Sequence, residues 1–581
     1  MIAWLILAAL GGLDPSDPRW LALVHYQPRL AGPESEISDP RFFLHPEGRY
    51  LPEAELLATL QSFEAVASTP WTDEHPPCRF PARYLYVAER QGRTDGLAPA
   101  ARCPGLRAFL ETNPSAALRL VFASSFLGNP ASATGHVFLS VSSNARRKGL
   151  FPLDLAINFA AVERTTQSIL AYQLAGLSGA LEARFTVAPF YLKLLEYSRI
   201  EQRDLWSYEV RLDETQVRRL MFHLWELLSV RFDYYFLTDN CAYQLAALLD
   251  VALDRPELTE QLQGIVLPVQ LVEALSSEPD LLGVPTFHPS PQRQLLALEG
   301  RLTVQEREQV ACIVSERCHP ASSGELVHSA ALLHYESQPN QRMSPAHRRL
   351  LLSRAHRART EAAAIKVAQL PPESGHGVHR LQVMGSWADE RFGLLVGFRW
   401  ALHDLLDSPI GHTRDGTVEL IRLQMQTSFE GLPRLREAVL LSMLSLPSGE
   451  GWMAWGFDLG LAPLPDESSF VSPGAALGVG HTWGVDRQAL TLFGLVEGRV
   501  GGGPEHGFLV PWGFNGGLRY SVSDLGSVLL SDRALWTHTT AFIGHSPSLA
   551  LRLHISPSWA LDLGARWIMG PGFLGGFSLY L

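Results

Sequence analysis

The spacing of hydrophobic and polar positions changes character twice along the chain. From residue 15 to about 115 apolar positions recur at helical intervals, and residues 52–61 carry Pro52 where the first turn of a helix tolerates it. From 117 to about 250 short strand-like runs take over. Residues 117–123 are apolar and β-branched. Residues 136–141 place His136, Phe138 and Ser140 on one face, and residues 153–161 place Asp154, Ala156 and Asn158 on one face. Residues 176–191 are Gly- and aromatic-rich, and 204–212 read as a further strand. Residues 214–228 then carry a helical stripe of Val217, Leu220, Met221, Leu224, Leu227 and Leu228. Strands mixed with helices in this order predict an α+β domain. Residues 255–370 read as helical and polar, and the Pro371-Pro372 pair marks a boundary.

From about 377 to the end the period becomes two. Trp559, Leu561, Leu563, Ala565 and Trp567 share a face opposite Ala560, Asp562, Gly564 and Arg566. Phe392, Leu394, Val396, Phe398 and Trp400 alternate in the same way with Gly393, Leu395, Gly397 and Arg399. Roughly ten to twelve such segments, with aromatics near their ends, are the pattern of a transmembrane β-barrel with an apolar exterior and a small, polar interior. A soluble sandwich also alternates, but its outer face carries more Lys and Glu, and no lysine follows Lys366. The last strand, 576–581, leaves no free edge if it pairs with the first.

Composition narrows the setting. A chain of 581 residues exceeds one core. A formal net charge of −11 excludes the basic footprint of a nucleic-acid binder, so no nucleic-acid partner is expected. The five cysteines form no CxxC pair, and neither a zinc site of standard spacing nor any other metal or cofactor is expected. Cys78 with Cys103, and Cys312 with Cys318, are disulfide candidates, a pairing that leaves Cys241 as the odd thiol of an exported protein. Residues 1–14 are apolar and short, like the core of a secretory signal without its basic start; a buried first helix is the other reading.

Cys241 is the chemical focus. Thr238-Asp239-Asn240 precede an apolar-periodic run, which predicts a helix beginning at Cys241. Unpaired N–H groups and the helix dipole at that position favour an anion, so a lowered thiol pKa is expected there; a buried core cysteine is the alternative. A cysteine nucleophile needs a base and a group that orients the base. His136, after Gly135 at a strand start, is the candidate base. Asn158 is the candidate orienting group and Asp154, on the same face, its competitor. Asn240 and Ser132 are counted as supporting residues, and the Cys241 N–H as a candidate oxyanion donor.

The segments 124–139, 153–161 and 235–241, with Gly176-Leu-Ser-Gly179, Pro189-Phe-Tyr191, Glu196-Tyr197, Arg203-Asp-Leu-Trp206 and residues 78–83, resemble the signature of the Lnb-type periplasmic domain, a bacterial lipoprotein N-acyltransferase family. The order of histidine, then Asn-Cys, is also similar to permuted papain-like enzymes of the NlpC and lecithin:retinol acyltransferase kind. The resemblance implies a cell-envelope cysteine acyltransferase. Cys241 would take an acyl chain from a membrane phospholipid as a thioester, with His136 as base and then acid, and pass it to an amine such as a lipoprotein N-terminus. The expected organisation is a signal segment at 1–14, a mainly helical domain at 15–115, a papain-like catalytic domain at 116–255, a helical connector at 256–372 and a membrane barrel at 373–581. The expected location is the outer membrane, with the catalytic domain in the periplasm. A cysteine peptidase or amidase of the cell wall, and a non-enzymatic barrel with a binding domain, are the alternatives.

Overall fold

The computed structural model describes residues 13–66, 70–115, 117–127, 132–143, 152–162, 169–319, 323–338, 343–355, 369–388, 391–412, 416–428, 432–447, 453–463, 471–485, 490–503, 507–522, 525–536, 542–567 and 571–581. The expected signal segment lies almost wholly outside them. The chain forms two compact units. One comprises residues 1–123, 135–291 and 336–340; the other comprises 124–134, 292–335 and 341–581.

The first unit opens with a hairpin, β1 (Tyr26–Arg29) and β2 (Gly32–Ser35), and two helices, α1 (Pro52–Ala65) and α2 (Pro81–Arg90). Seven antiparallel strands follow in chain order: β3 (Ala117–Ala123), β4 (His136–Ser142), β5 (Leu155–Ala161), β6 (Leu181–Pro189), β7 (Leu205–Val210), β8 (Phe232–Tyr234) and β9 (Thr286–His288). They lie in the order β8-β6-β5-β4-β3-β7-β9. Because β9 is an edge strand of this sheet, the unit runs on to about residue 291 instead of ending near 255. Phe122, Phe138, Phe159 and Phe185 are fully buried in it, each worth roughly 1.5–3 kcal/mol relative to exposure.

Two helices, α3 (Glu214–Leu227) and α4 (Cys241–Leu253), complete the unit. Asp213 caps α3 in a capping box with Gln216. Every residue of α4 from Cys241 to Ala252 is buried, as expected of a helix apolar on nearly all sides. Around α2, Glu226 accepts from the Ala82 and Arg83 N–H groups at 2.7 and 3.1 Å, and Arg83 donates to Glu55 at 2.7 Å between the rings of Phe42 and Phe80. The Cys78–Cys103 disulfide closes the loop beside them.

The Gly-rich stretch 176–191 holds the end of a helix (Ile169–Ser178) and strand β6. Its glycines are contact points. A Cβ on Gly176 would lie 2.4 Å from the Phe236 ring, and one on Gly179, whose φ is +75°, would lie 2.1 Å from the Tyr235 ring. Backbone thus lies directly under the aromatic segment that leads into α4.

In the second unit, the helices Pro291–Glu299, Val304–Val314, Glu325–Glu336 and Pro345–Ala355 pack around Leu298, Ile313, Val327, Ala331 and Leu350, with Cys312 bonded to Cys318. The rest is an antiparallel sheet of fourteen strands. Two are short, Gly507–Leu509 and Phe542–His545, which leaves twelve long ones. The first long strand, Arg380–Ala388, pairs with the last, Pro571–Tyr580, from Arg380↔Tyr580 to Ala388↔Gly572, so the barrel is closed. Phe392, Leu477, Trp483, Phe514 and Phe577 face outward and exposed, whereas Arg399, Glu497, Arg552, Asp562 and Ser578 face inward and are buried. This is the alternation of a barrel with a lipid-facing exterior.

A loop, 404–412, folds into one mouth of the barrel. Asp407 accepts from Arg399, Arg552 and the Tyr580 hydroxyl, each at 2.6 Å. Around it, among the described residues, the carboxylates of Asp404, Asp407, Glu419, Glu437 and Asp562 interlock with the guanidinium groups of Arg380, Arg399, Arg422 and Arg552. A cavity of about 400 Å³ lies in the lumen beside this network.

Candidate functional site

Strand β4 begins at His136 because the residue before it is a glycine. Gly135 has φ +96°, and a Cβ there would press to 3.1 Å from the Phe122 ring and 3.2 Å from the Ala123 carbonyl. His136 therefore enters the sheet opposite Ala123, with its side chain on the face shared with Phe138. Its Nε2 lies 2.7 Å from Oδ1 of Asn158, a buried residue of the neighbouring strand β5. An amide oxygen accepts, so Nε2 carries the proton and Nδ1 keeps its lone pair. The ring packs 5.4 Å from Tyr197.

Helix α4 begins where Asn240 caps it. The Asn240 side-chain oxygen accepts from the N–H groups of Ala242 at 3.0 Å and Tyr243 at 3.4 Å. Its amide donates to the carbonyls of Phe236 and Val266 at 3.1 and 2.7 Å. Three of the four bonds are local and the fourth ties the cap to Val266, so Asn240 fixes the helix start and with it the position of the next residue. Cys241 is the chain's unpaired cysteine and is buried. Helix α4 packs against strand β4, which carries His136, and the backbone N–H groups of Val137 and Ala242 act on the thiol electrostatically in favour of its thiolate.

The electrostatics differ from the sequence expectation. Burial pushes the Cys241 thiol up to about 11; the N–H donors of Val137 and Ala242 oppose this without overcoming it. The expected lowering at a helix start does not occur, because removing the thiolate from water outweighs two N–H groups and a helix end. Burial also pushes the His136 imidazole down to about 3, opposed by the Asn158 bond and reinforced by the nearby cations of Arg203 and Lys193. At neutral pH the thiol and the imidazole both rest uncharged.

Three further residues shape the site; two of them, Tyr197 and Arg203, fall in segments that carried the resemblance but were given no role there. Tyr197 lies in a π-helical turn, Leu194–Ile200, between the His136 ring and the Arg203 guanidinium, which sits 4.9 Å from its centroid. Arg203 is buried and donates to the Ala123 carbonyl at 2.9 Å and to Glu201 at 2.8 Å. Tyr234, the last residue of β8, is buried within electrostatic reach of Cys241. A wide-turn helix has no sequence period to read, and one buried arginine among surface ones looks the same.

Asp154 is buried just before β5, where its carbonyl accepts from Phe190 at 2.8 Å; the bond to the imidazole comes from Asn158. Ser132 lies in the β3–β4 connection, its carbonyl accepting from Phe126 at 3.0 Å.

Together these features define a closed twelve-stranded barrel of the outer-membrane type preceded by an α+β unit with a buried cysteine, a buried asparagine and a half-buried histidine. Residues 106–278 match the family model of the Lnb N-terminal periplasmic domain, so the chain carries an Lnb-type periplasmic domain and then the barrel. Residues 15–90 and 369–569 match two domains of unknown function, DUF7843 and DUF7840. The chain has no significant match among curated proteins. Solved structures resemble its barrel. The NanC porin is 8% identical with a TM-score of 0.25, covering 35% of this chain and 100% of its own. LpxR from Salmonella typhimurium is 12% identical with a TM-score of 0.20, covering 35% and 100%. The outer membrane phospholipase A from Escherichia coli is 10% identical with a TM-score of 0.19, covering 35% and 93%. Scores this low carry no functional weight, and the barrel assignment rests on the strand pairing. The protein belongs to the outer membrane, with its N-terminal domain in the periplasm.

Proposed function

We propose that this protein is a cell-envelope cysteine acyltransferase, built on a permuted papain-like arrangement, that moves an acyl chain from a membrane phospholipid to an amine such as a lipoprotein N-terminus. The observation that carries the reading is that α4, with Cys241 in its first turn, packs on strand β4, whose His136 imidazole has its Nε2–H held by Asn158. A thiol, a histidine with a free Nδ1 and an orienting amide are the parts of a cysteine nucleophile site.

In the first half-reaction the Cys241 sulfur attacks the ester carbonyl while His136 Nδ1 takes the thiol proton. The S–C bond forms, the ester C–O bond breaks, and the imidazolium returns its proton to the departing lysolipid alkoxide. In the second half the acceptor amine attacks the thioester, the N–C bond forms, the C–S bond breaks, and the amine proton passes through His136 to the thiolate. Asn158 keeps Nε2 protonated throughout and so keeps Nδ1 basic. The barrel holds the domain at the membrane that supplies the donor.

The test is transfer of a labelled acyl chain from phosphatidylethanolamine to a diacylated lipopeptide by the purified full-length protein in mixed micelles. The acylated peptide should form and should be absent with Cys241→Ala. Full transfer by Cys241→Ala would overturn the reading, and release of free fatty acid in place of the acylated peptide would make the protein a hydrolase.

A further inference from the structure

The loop at the barrel mouth gathers a second set of chemically able side chains. His376 precedes the first barrel strand, His403 ends the second (Arg391–His403), and Asp407 lies on the inward loop; all three are buried. His376 Nε2 and His403 Nδ1 are 3.2 Å apart, and they lie 4.0 and 3.9 Å from Asp407 Oδ2. A point equidistant from three atoms so placed lies about 2.2 Å from each, at the long end of the ~2.0–2.2 Å of zinc–imidazole and zinc–carboxylate bonds.

The surroundings agree with that geometry. His376 Nδ1 lies 2.8 Å from the Gly377 carbonyl, which fixes its proton on Nδ1 and leaves Nε2 free to ligate.

We infer that His376, His403 and Asp407 bind one divalent transition-metal ion of the zinc class at the periplasmic mouth of the barrel. Two imidazoles and a carboxylate suit zinc and its neighbours better than calcium or magnesium, which favour all-oxygen shells. The site also has a structural consequence. His376 packs 4.8 Å from the ring of Tyr580, whose hydroxyl holds Asp407, so one ion ties the approach to the first strand, the end of the second and the last strand together. That is the seam at which the barrel closes.

The experiment uses full-length protein in detergent, stripped with EDTA, loaded with zinc chloride and desalted, with zinc per chain read by plasma mass spectrometry. The wild type should hold one zinc per chain. His376→Gln and His403→Gln should each bind at least tenfold more weakly in competition with a chromophoric chelator. Cys241→Ser, which removes the one unpaired thiol, should still hold its zinc. Added zinc should also raise the temperature at which the barrel loses its compact form on semi-native gels, in the wild type and not in the histidine variants. Substoichiometric zinc in the wild type, or equal zinc in the wild type and both histidine variants, overturns the inference. The gel shift reports whether each variant still forms a barrel, and the wild type compared with and without zinc gives a readout that needs no variant.

Discussion

The resting state of Cys241 leads to a prediction that separates two kinds of thiol enzyme. Burial moves the thiol from its ordinary 9.0 up to about 11, two units against ionisation. Two units correspond to about 3 kcal/mol and to a thiolate fraction at neutral pH about 100-fold below that of a free cysteine. The neighbouring imidazole, held down to about 3, stores no proton that would pair with a thiolate. The assay is alkylation by iodoacetamide at a series of pH values, followed by intact mass, in a protein whose other four cysteines are in disulfides. The shape of the curve matters more than its height, because burial also slows reagent entry. The rate should climb about tenfold per pH unit through pH 10 without a plateau, and His136→Ala should leave that slope unchanged. A plateau at or below about pH 8 would refute the reasoning, since it reveals a stored thiolate–imidazolium pair. If the climb is seen, ionisation accompanies attack on the substrate and does not precede it.

Three more outcomes follow from the same geometry. Asn158→Ala removes the acceptor of the imidazole Nε2–H and frees the ring to rotate, so acyl transfer should fall about 10- to 100-fold in kcat with KM within threefold, by steady-state kinetics; an unchanged kcat contradicts an orienting role. Asn240→Ala strips the cap from the buried helix and leaves two carbonyls without their donor, which should cost about 1–3 kcal/mol in the urea unfolding of the first unit followed by tryptophan fluorescence. His223 is fully buried and its pKa is lowered by burial and by neighbouring His25 and Arg83. A lowered histidine pKa contributes stability that is complete above its ordinary 6.5 and is lost progressively as the pH falls below it. His223→Gln should therefore flatten the fall in urea midpoint between pH 7 and 5, and an identical fall in wild type and variant refutes it.

Much of the architecture was legible because it rests on period. The alternation around Trp559 and Phe392 reports a face set by lipid on one side and a polar lumen on the other, and no local detail can blur it. The start of α4 was legible for a similar reason: Thr238-Asp239-Asn240 before an apolar run states a cap, and Asn240 makes it. Strand β9 was not, since three residues carry no period and its pairing with β7 is set by tertiary contact. The stretch 176–191 predicted no element because its glycines serve Phe236 and Tyr235, which approach from about 60 residues away in sequence. At the site, the residue types and the His136–Asn158 spacing were readable, whereas the protonation states were not. A helix start favours a thiolate only where water or a cation shares the charge, and the burial that decides the matter at Cys241 comes with the packing of α4 on strands β4 and β5, which lie far from it in sequence.

The central claim is that Cys241 carries the acyl group. Full-length protein incubated with phosphatidylethanolamine alone, quenched in acid and digested, should yield a Cys241 peptide heavier by one acyl chain. Neutral hydroxylamine should remove that mass, as expected of a thioester, and an acceptor lipopeptide should discharge it. The same peptide should stay unmodified in His136→Ala. An unmodified Cys241 in wild type that nonetheless transfers the chain to the acceptor would contradict the account.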